Sequence, residues 1–455
     1  MPSSGAGRLM ETFGPPSTLK HSTKPRDSTI TGHCSLPRGP HHAARLCYPL
    51  WMVVDPFAKG GLQDAEAVLR AHGVDAYFRA VEGWTDDGFA VLGGRTVVMA
   101  GSNDYLGLSR DPRVIAAAVE ALGRYGASVS GSRPLNGTVD LHERLEARIA
   151  GFLGQEAAAV ATTGFQANLA LAAALGPGDV AFSDARNHAS LIDGLRLGTG
   201  KILTYRHGDL DHLRRRLTTA PAEGRLIVTD GVFSMEGDVA PLRGLRDLAD
   251  EFDAKLIVDS AHDLGVLGTR GAGLHEAAGL EDRADLITAT FSKALGSTGG
   301  VIAGPAANVT RLRYNARSLV FSAGLPPASA AAALQALDIL EAEPQRRERL
   351  RRLARLLHDG LRAIGLDTRP STTPIVPVAF PDMAQAGAFW AGLTEAGVVV
   401  NLVGPPATSR AMLRVTLTAA HDEGHAERVI QAFTRVADRL RTPRAAQPLP
   451  PVEIS

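Results

Sequence analysis

The sequence predicts an α/β protein: a mainly parallel sheet covered by helices on both faces, followed by a smaller α+β unit. Three observations predict it. Between about residues 112 and 300, short apolar runs bounded by polar residues or glycine alternate with amphipathic stretches, the pattern of strand–helix–strand units. A long region of helical periodicity then leads into a second, shorter stretch of mixed elements that ends near Leu440. The composition, 45% hydrophobic and 21% charged over 455 residues, is that of a globular chain with a large core and two or three structural units.

The elements follow in order. Residues 1–50 are rich in Pro, Ser, Thr, Gly, His and Arg, with Glu11 and Asp27 as the only acids. They lack the apolar core of a signal peptide and the amphipathic helix of a transit peptide. Synthesis starting at Met52 would make them a translated leader; residues 1–51 are expected to be disordered and dispensable. A helix is expected in "LQDAEAVLRAHGV" from Leu62, and "RTVVMAGSNDYLGL" gives a strand and a polar turn, so residues 52–105 form an N-terminal segment. In the large unit, 106–340, "AAAVATTG", "DVAFSD", "KILTYRH", "RLIVTDG", "AKLIVDSAH" and "ADLITATFS" read as short buried strands. Helices such as "HERLEARIAGFLG" and "LRGLRDLADEF" lie between them. "PPASAAAALQALDILEAEPQRRERLRRLARLLHDGLRAIG" reads as a long helical region leading into the small unit, 341–441. Its arginines recur among leucines at helical spacing, the mark of a solvated face. The Pro-rich end, 442–455, reads as a loose tail.

Charge and cysteine content exclude several classes. Lys+Arg and Asp+Glu balance at 48 each, which argues against nucleic acid and against an acidic membrane surface as partners. No apolar run reaches the length of a membrane span. The two cysteines, Cys34 and Cys47, lie outside the part that reads as folded; a disulfide framework is excluded and a cytoplasmic location is expected. His33, Cys34, His41 and His42 match no zinc spacing, and no metal site is expected.

The chemistry gathers at strand ends, where open α/β sheets bind ligands. In "TATFSKALGSTGG", residues 288–300, Lys293 follows the apolar run "ADLIT" and precedes a glycine-rich turn. Burial lowers a lysine pKa, and a neutral amine is a nucleophile; the competing reading is a strand-capping lysine paired with a carboxylate. Asp259 ends the apolar run of "AKLIVDSAHDLG", with His262 one turn on; His188 follows "DVAFSD", and Ser234 follows "RLIVTDG". "TTGFQANLALAAA" follows a strand and opens a helix, so the amides of Gly164 and Phe165 can face an anion. One strand-end Asp is usually a helix cap, but this whole set suits pyridoxal phosphate (PLP). PLP needs an amine, a carboxylate beside the pyridine nitrogen, a flat group over the ring and a phosphate cup; Lys293, Asp259, His188 and the Gly164/Phe165 amides fill those roles.

"NDYLGL", "GSRPLNGTVDLHERLE", "TTGFQANLA", "NHASLIDG", "GVFSMEGDVAPL", "VDSAHDLGVLG" and "TFSKALGSTGG" occur in that order between residues 103 and 300, within a likeness that runs from about residue 60 to 440. The ordered set resembles the α-oxoamine synthases, and "SRPLNGT" with "VVVNLVGPPAT" is most similar to the bacterial serine palmitoyltransferases among them. The resemblance implies a fold-type I PLP-dependent transferase with a mainly parallel seven-stranded sheet in its large domain and a smaller C-terminal α+β domain. It implies Lys293 as the covalent anchor of PLP and the base at the substrate Cα, Asp259 at the pyridine nitrogen, and His188 stacked on the ring. It also implies His262 at the phenolic oxygen with Ser234 nearby, and Thr290 and Ser292 with Gly164 and Phe165 near the phosphate. Ser322 would reach the phosphate from a neighbouring subunit, giving a homodimer with shared sites. Asn103 would line the site, and Arg414 would meet the substrate carboxylate. The reaction implied joins serine, alanine or glycine to an acyl thioester of CoA or an acyl carrier protein, with loss of CO2. The alternatives are another fold-type I activity, aminotransferase or lyase, and a non-catalytic partner subunit, which would be expected to lack the anchoring lysine.

Two departures from the family pattern stand out. Ser260 follows the strand-end Asp where relatives often carry an acid, and Gly404 stands where they often carry arginine, with Arg410 as a candidate substitute. His142, in "DLHERLE", reads equally as a site residue and as a packed helix residue.

Overall fold

The structure, a computed structural model, describes residues 62–441 apart from 72, 86–88, 282, 370 and 406. The leader 1–51 with its cysteines and histidines, the first ten residues of the N-terminal segment and the tail 442–455 lie outside the described residues. In chain order, β1 (Gly83–Trp84), β2 (Ala90–Leu92) and β3 (Arg95–Met99) come first. The central sheet uses β4 (Ala157–Ala161), β5 (Val180–Asp184), β6 (Lys201–Tyr205), β7 (Arg225–Asp230), β8 (Lys255–Asp259), β9 (Leu286–Thr290) and β10 (Gly300–Gly304). β11 (Val376–Ala379), β12 (Val398–Val399), β13 (Asn401–Val403) and β14 (Met412–Val415) follow.

The seven central strands lie in the order β4-β10-β9-β8-β7-β5-β6. From β9 to β6 every pairing is parallel, while β10 runs antiparallel to both β9 and β4. The mainly parallel seven-stranded sheet is thus observed. β5, β9 and β10 are buried along their whole length, because helices cover both faces; such strands read as apolar runs rather than as alternation. β10 is the strand that no run announced, since only Val301, Ile302 and Ala303 lie between its terminal glycines.

The long helical region is two helices, Pro327–Ala342 and Gln345–Ala363. Glu343 leaves the helix at φ −121°, ψ 62°, and Pro344, which has no N–H to continue the ladder, begins the next one. The first of the two packs with the helix Pro112–Tyr125 in the core below the central sheet. Asp111 starts Pro112–Tyr125 by accepting from the Arg113 N–H, with proline at the first helical turn.

The C-terminal elements build a separate apolar core around Leu353, Leu357, Phe389, Trp390, Leu413 and Phe433. Leu69, Val74, Val98 and Ala100 of the N-terminal segment belong to that same core, and β3 pairs parallel with β12. The N-terminal segment therefore folds onto the C-terminal elements, and a bridge between Gly101 and Thr416 brings "NDYLGL" up to the end of β14.

Candidate active site

The carboxyl ends of β4, β5, β7, β8 and β9 open into one cavity. Nine of the residues singled out in the sequence line it: Gly164, Phe165, His188, Ser234, Asp259, His262, Thr290, Ser292 and Lys293. Lys293 rides on the tight loop from β9 to β10. Phe291 N–H donates to the Gly299 carbonyl at 3.0 Å, and Ser297 N–H to the Phe291 carbonyl at 2.9 Å. Gly296 turns this loop at φ +57°, and a Cβ there would stand 2.3 Å from the Ser109 nitrogen; only glycine fits both the conformation and the contact.

Asp259 ends β8, and its carboxylate is fixed from two sides. Ala261 N–H donates to Oδ1 at 2.9 Å, and Asn168 Nδ2 donates to Oδ2 at 2.6 Å. The same amide nitrogen donates to Ser190 Oγ at 2.8 Å. Ser190 in turn lies 2.7 Å from His188 Nδ1, which also accepts the Ser190 N–H. Nδ1 is therefore an acceptor, and the His188 proton sits on Nε2.

A second chain starts at Lys293. Its Nζ lies 2.9 Å from His262 Nε2, and His262 Nδ1 lies 2.6 Å from the Tyr105 hydroxyl. Arg414 Nη2 donates to that hydroxyl oxygen at 3.2 Å, while Arg414 Nε donates to the Ser234 carbonyl at 2.7 Å. Arginine can only donate, so the Tyr105 hydroxyl donates its hydrogen bond to His262 Nδ1 and Nε2–H points at the lysine amine. A neutral amine accepts that bond. Burial, with Arg414 adding to it, lowers Lys293 to about 8 against the opposing pull of Asp259, Asp230 and Asp263. Burial also holds His262 well below its usual value, with Lys293 and Arg414 contributing, and lowers His188. Asp230, paired across the sheet with Asp259, is pushed far up by burial and then by Asp259. Asp263, fully buried one turn beyond Asp259, is pushed up to about 7, mainly by burial.

Three singled-out residues are not on the cavity wall. Ser322 accepts from Gln166 Nε2 at 2.9 Å, behind the helix Gly164–Leu169. Asn103 has its Oδ1 buried with no hydrogen-bond partner. Arg414 is buried and reaches the site through Tyr105 and Ser234. His142 is packed away from the site, its Nε2 donating to the Leu325 carbonyl at 2.7 Å. Arg410 is exposed, and a side chain at Gly404 would meet the Met383 sulfur at 2.3 Å. Residues not anticipated are Thr163, Asn168, Ser190, Asp230 and Thr298 on the wall, and Tyr105 behind it. Asp230 had a signal, because it ends "RLIVTD" as Asp259 ends "KLIVD".

The cavity fits PLP. The Gly164 and Phe165 N–H groups at the start of Gly164–Leu169, which have no intrahelical partners, stand with the Thr290 and Ser292 hydroxyls at one end, while the Gln166 N–H is capped by Thr163 Oγ1 at 3.1 Å. A Cβ on Gly164 would come 2.7 Å from Thr290 Cβ, so a larger residue would close that cup. At the other end, the Asn168-held carboxylate of Asp259 supplies the acceptor a pyridinium requires. The fold is that of the fold-type I transferases, and PLP is the cofactor the cavity serves.

The comparisons with known proteins narrow the class. The model for "Aminotransferase class I and II" matches residues 95–433. A serine palmitoyltransferase from Sphingobacterium spiritivorum is 42% identical over 374 residues, 81% of this chain and 93% of that protein. An 8-amino-7-oxononanoate synthase from Anaeromyxobacter dehalogenans is 42% identical over 390 residues, 84% of this chain and 98% of that protein. Among solved structures, a variant of a serine palmitoyltransferase from S. paucimobilis with a bound PLP–myriocin aldimine superposes with a TM-score of 0.81 at 35% identity, covering 84% of this chain and 97% of the other. The chain belongs to the aminotransferase class I and II family and, within it, to the α-oxoamine synthases, PLP-dependent acyltransferases.

Proposed function

We propose that the enzyme joins a small amino acid (serine, alanine or glycine) to an acyl thioester carried on CoA or an acyl carrier protein. In that reaction the amino acid loses its Cα proton and its carboxylate as CO2, the thioester C–S bond breaks, and one Cα–carbon bond forms. The products are an α-amino ketone and a free thiol. The observation that carries this reading is the Lys293 amine, buried opposite Asp259 and brought to about 8, where it acts both as nucleophile and as base near neutral pH.

PLP, when bound, supplies a carbonyl that amines attack and a ring that spreads negative charge from the carbon beside the amine. The protein does the rest. Lys293 would anchor the cofactor and would carry the proton from and back to the substrate Cα. Asp259, locked by Asn168 and Ala261, keeps the ring nitrogen protonated, and this fixed charge carries much of the rate. His188, its proton placed on Nε2 by Ser190, supplies the flat face. His262 donates at the phenolic oxygen, with Ser234 beside it. Thr290, Ser292, Gly164 and Phe165 hold the phosphate. Arg414 serves the substrate carboxylate from behind the cavity wall, held by Tyr105 and the Ser234 carbonyl, and Asn103 supports the site from outside that wall.

The reading includes a homodimer in which Ser322 serves the neighbouring site. Phe165, at the cavity, and Phe321, next to Ser322, are 45% and 80% exposed, and large exposed apolar groups near a site support a covering partner. It also includes a large PLP-binding domain over 106–340, a small domain over 341–441 and a cytoplasmic location. No helix among the described residues is long and apolar enough to cross a membrane.

The test is a visible-absorbance titration of the PLP-loaded protein with glycine, alanine and serine, each with and without an acyl thioester, followed by mass analysis of products. One amino acid should perturb the spectrum and, with thioester, release thiol and CO2 in equal amounts. Keto-acid formation without thiol release would move the enzyme to aminotransferase chemistry.

A further inference from the structure

We propose that His207 is a positioning residue, a clamp that fastens the loop 231–239 to the ends of β5 and β6 and so holds Ser234 and Arg414 in register with the cavity. It lies two residues beyond β6. Its Nδ1 is 2.9 Å from Asp184 Oδ1, at the end of β5, and its Nε2 is 2.6 Å from Asp238 Oδ2 in the loop. A neutral imidazole can donate from one nitrogen only; two carboxylate partners require both protons. Burial works against that charge, but the hydrogen bonds that His207 donates to Asp184 and Asp238 outweigh it and raise His207 to about 9.

Each partner is itself anchored. Asp184 accepts the Arg186 N–H at 2.8 Å and the Gly208 N–H at 2.9 Å. The Asp238 carbonyl accepts the Phe233 N–H at 2.9 Å, and Val232 bridges to Val239, so a pull on Asp238 orients the whole loop. The Phe233 ring meets His207 edge-on, with centroids 4.4 Å apart, and shields the pair from water. The loop then presents Ser234 to the cavity and its carbonyl to Arg414. The other charged or titratable groups around His207 are Tyr205 at the end of β6, Arg206, which is paired with Asp209 at 2.6 Å, and the Arg186–Glu236 ion pair on the loop's outer side. None of these offers the imidazole a third carboxylate.

The clamp rests on the cavity geometry and not on which amino acid is used, so hydrogen exchange of the PLP-loaded protein tests it independently of the reaction. In the wild type, amides of 231–239 should exchange at least about tenfold faster at pH 10 than at pH 7 after correction for the intrinsic rate, with β8 unchanged. His207→Gln should show the fast rate already at pH 7 and no further change at pH 10. Its half-saturating concentration for whichever amino acid perturbs the wild-type spectrum should rise about tenfold, with kcat moving far less. Asp238→Asn should reproduce both effects, and the double variant should be no worse than either single one; it also serves if His207→Gln does not fold. Equal loop protection in wild type and variants at pH 7, protection insensitive to pH in the wild type, or additive effects would overturn the clamp.

Discussion

The two edges of the central sheet carry the same kinds of residue and treat them in opposite ways. At the amino edge, Lys255 begins β8 and pairs with Asp285 at 3.0 Å, while Arg246 holds the same carboxylate at 2.8 Å and Asp250 at 2.8 Å. Asp285 also accepts the Leu256 N–H at 2.9 Å. Lysine meets carboxylate there, in reach of water. At the carboxyl edge, on the next strand over, Lys293 faces Asp259 and Asp230 across the cavity and contacts neither; its close neighbour is a neutral histidine. Burial without a direct ion pair lowers the amine to about 8 and so enlarges its uncharged, reactive fraction near neutral pH, whereas an amine paired within reach of water gains no such reactivity. The protein has placed its chemistry where charges are hardest to satisfy.

The comparison can be broken or sharpened by substitution. Lys293→Ala should abolish the visible spectrum of bound PLP and cut turnover by about a thousandfold or more, measured by absorbance and thiol release. Removing the same lysine also tests its burial. The folded-state pKa is depressed from 10.5 to about 8, so between those values the unfolded chain holds the extra proton and stability rises with pH. The PLP-free wild type should therefore gain about 3 kcal/mol over Lys293→Ala between pH 8 and pH 10.5 in urea unfolding. Asp259→Asn should slow turnover by about a hundredfold while PLP still binds. At the other edge the signs reverse: Asp285→Ala should cost about 2 kcal/mol of stability, because Arg246 and the Leu256 N–H lose their acceptor, with kcat within about twofold. Lys255→Ala should change stability by less than about 0.5 kcal/mol and leave activity alone. An Asp285 variant with impaired catalysis and normal stability would end the contrast.

Much of this was legible in the sequence because strands buried on both faces are written as unbroken apolar runs, and several polar residues ending such runs together mark the rim where such sheets bind ligands. Lys293, Asp259 and His188 were found that way. β10 was hidden because glycines at both ends leave only three apolar residues between them. The helix break at Pro344 was masked by leucines that keep helical spacing on either side of it. The Tyr105–His262–Lys293 chain was invisible for a different reason: Tyr105 and Arg414 are 309 residues apart, and no local pattern records that they meet. Tyr105, two residues beyond Asn103 in "NDYLGL", carries no local mark of its place behind the site, since the burial of a tyrosine hydroxyl is a property of the packed molecule. The junction of β3 with β12 likewise joins two segments whose sequences read as independent.

The antiparallel turn into β10 bears on the order in which the chain folds. β9 and β10 pair residues as close as Thr290 and Gly300, so the loop bearing Lys293 is closed by a hairpin of local contacts, with little chain entropy to overcome. β4, whose far end leads to Gly164, pairs with that same β10 only when Ala157 finds Gly304, across most of the large unit. Contacts of that span form slowly. The lysine wall is thus available early as a template, and the phosphate wall closes onto it late, which makes completion of the cofactor site a report on the folding of the whole central sheet.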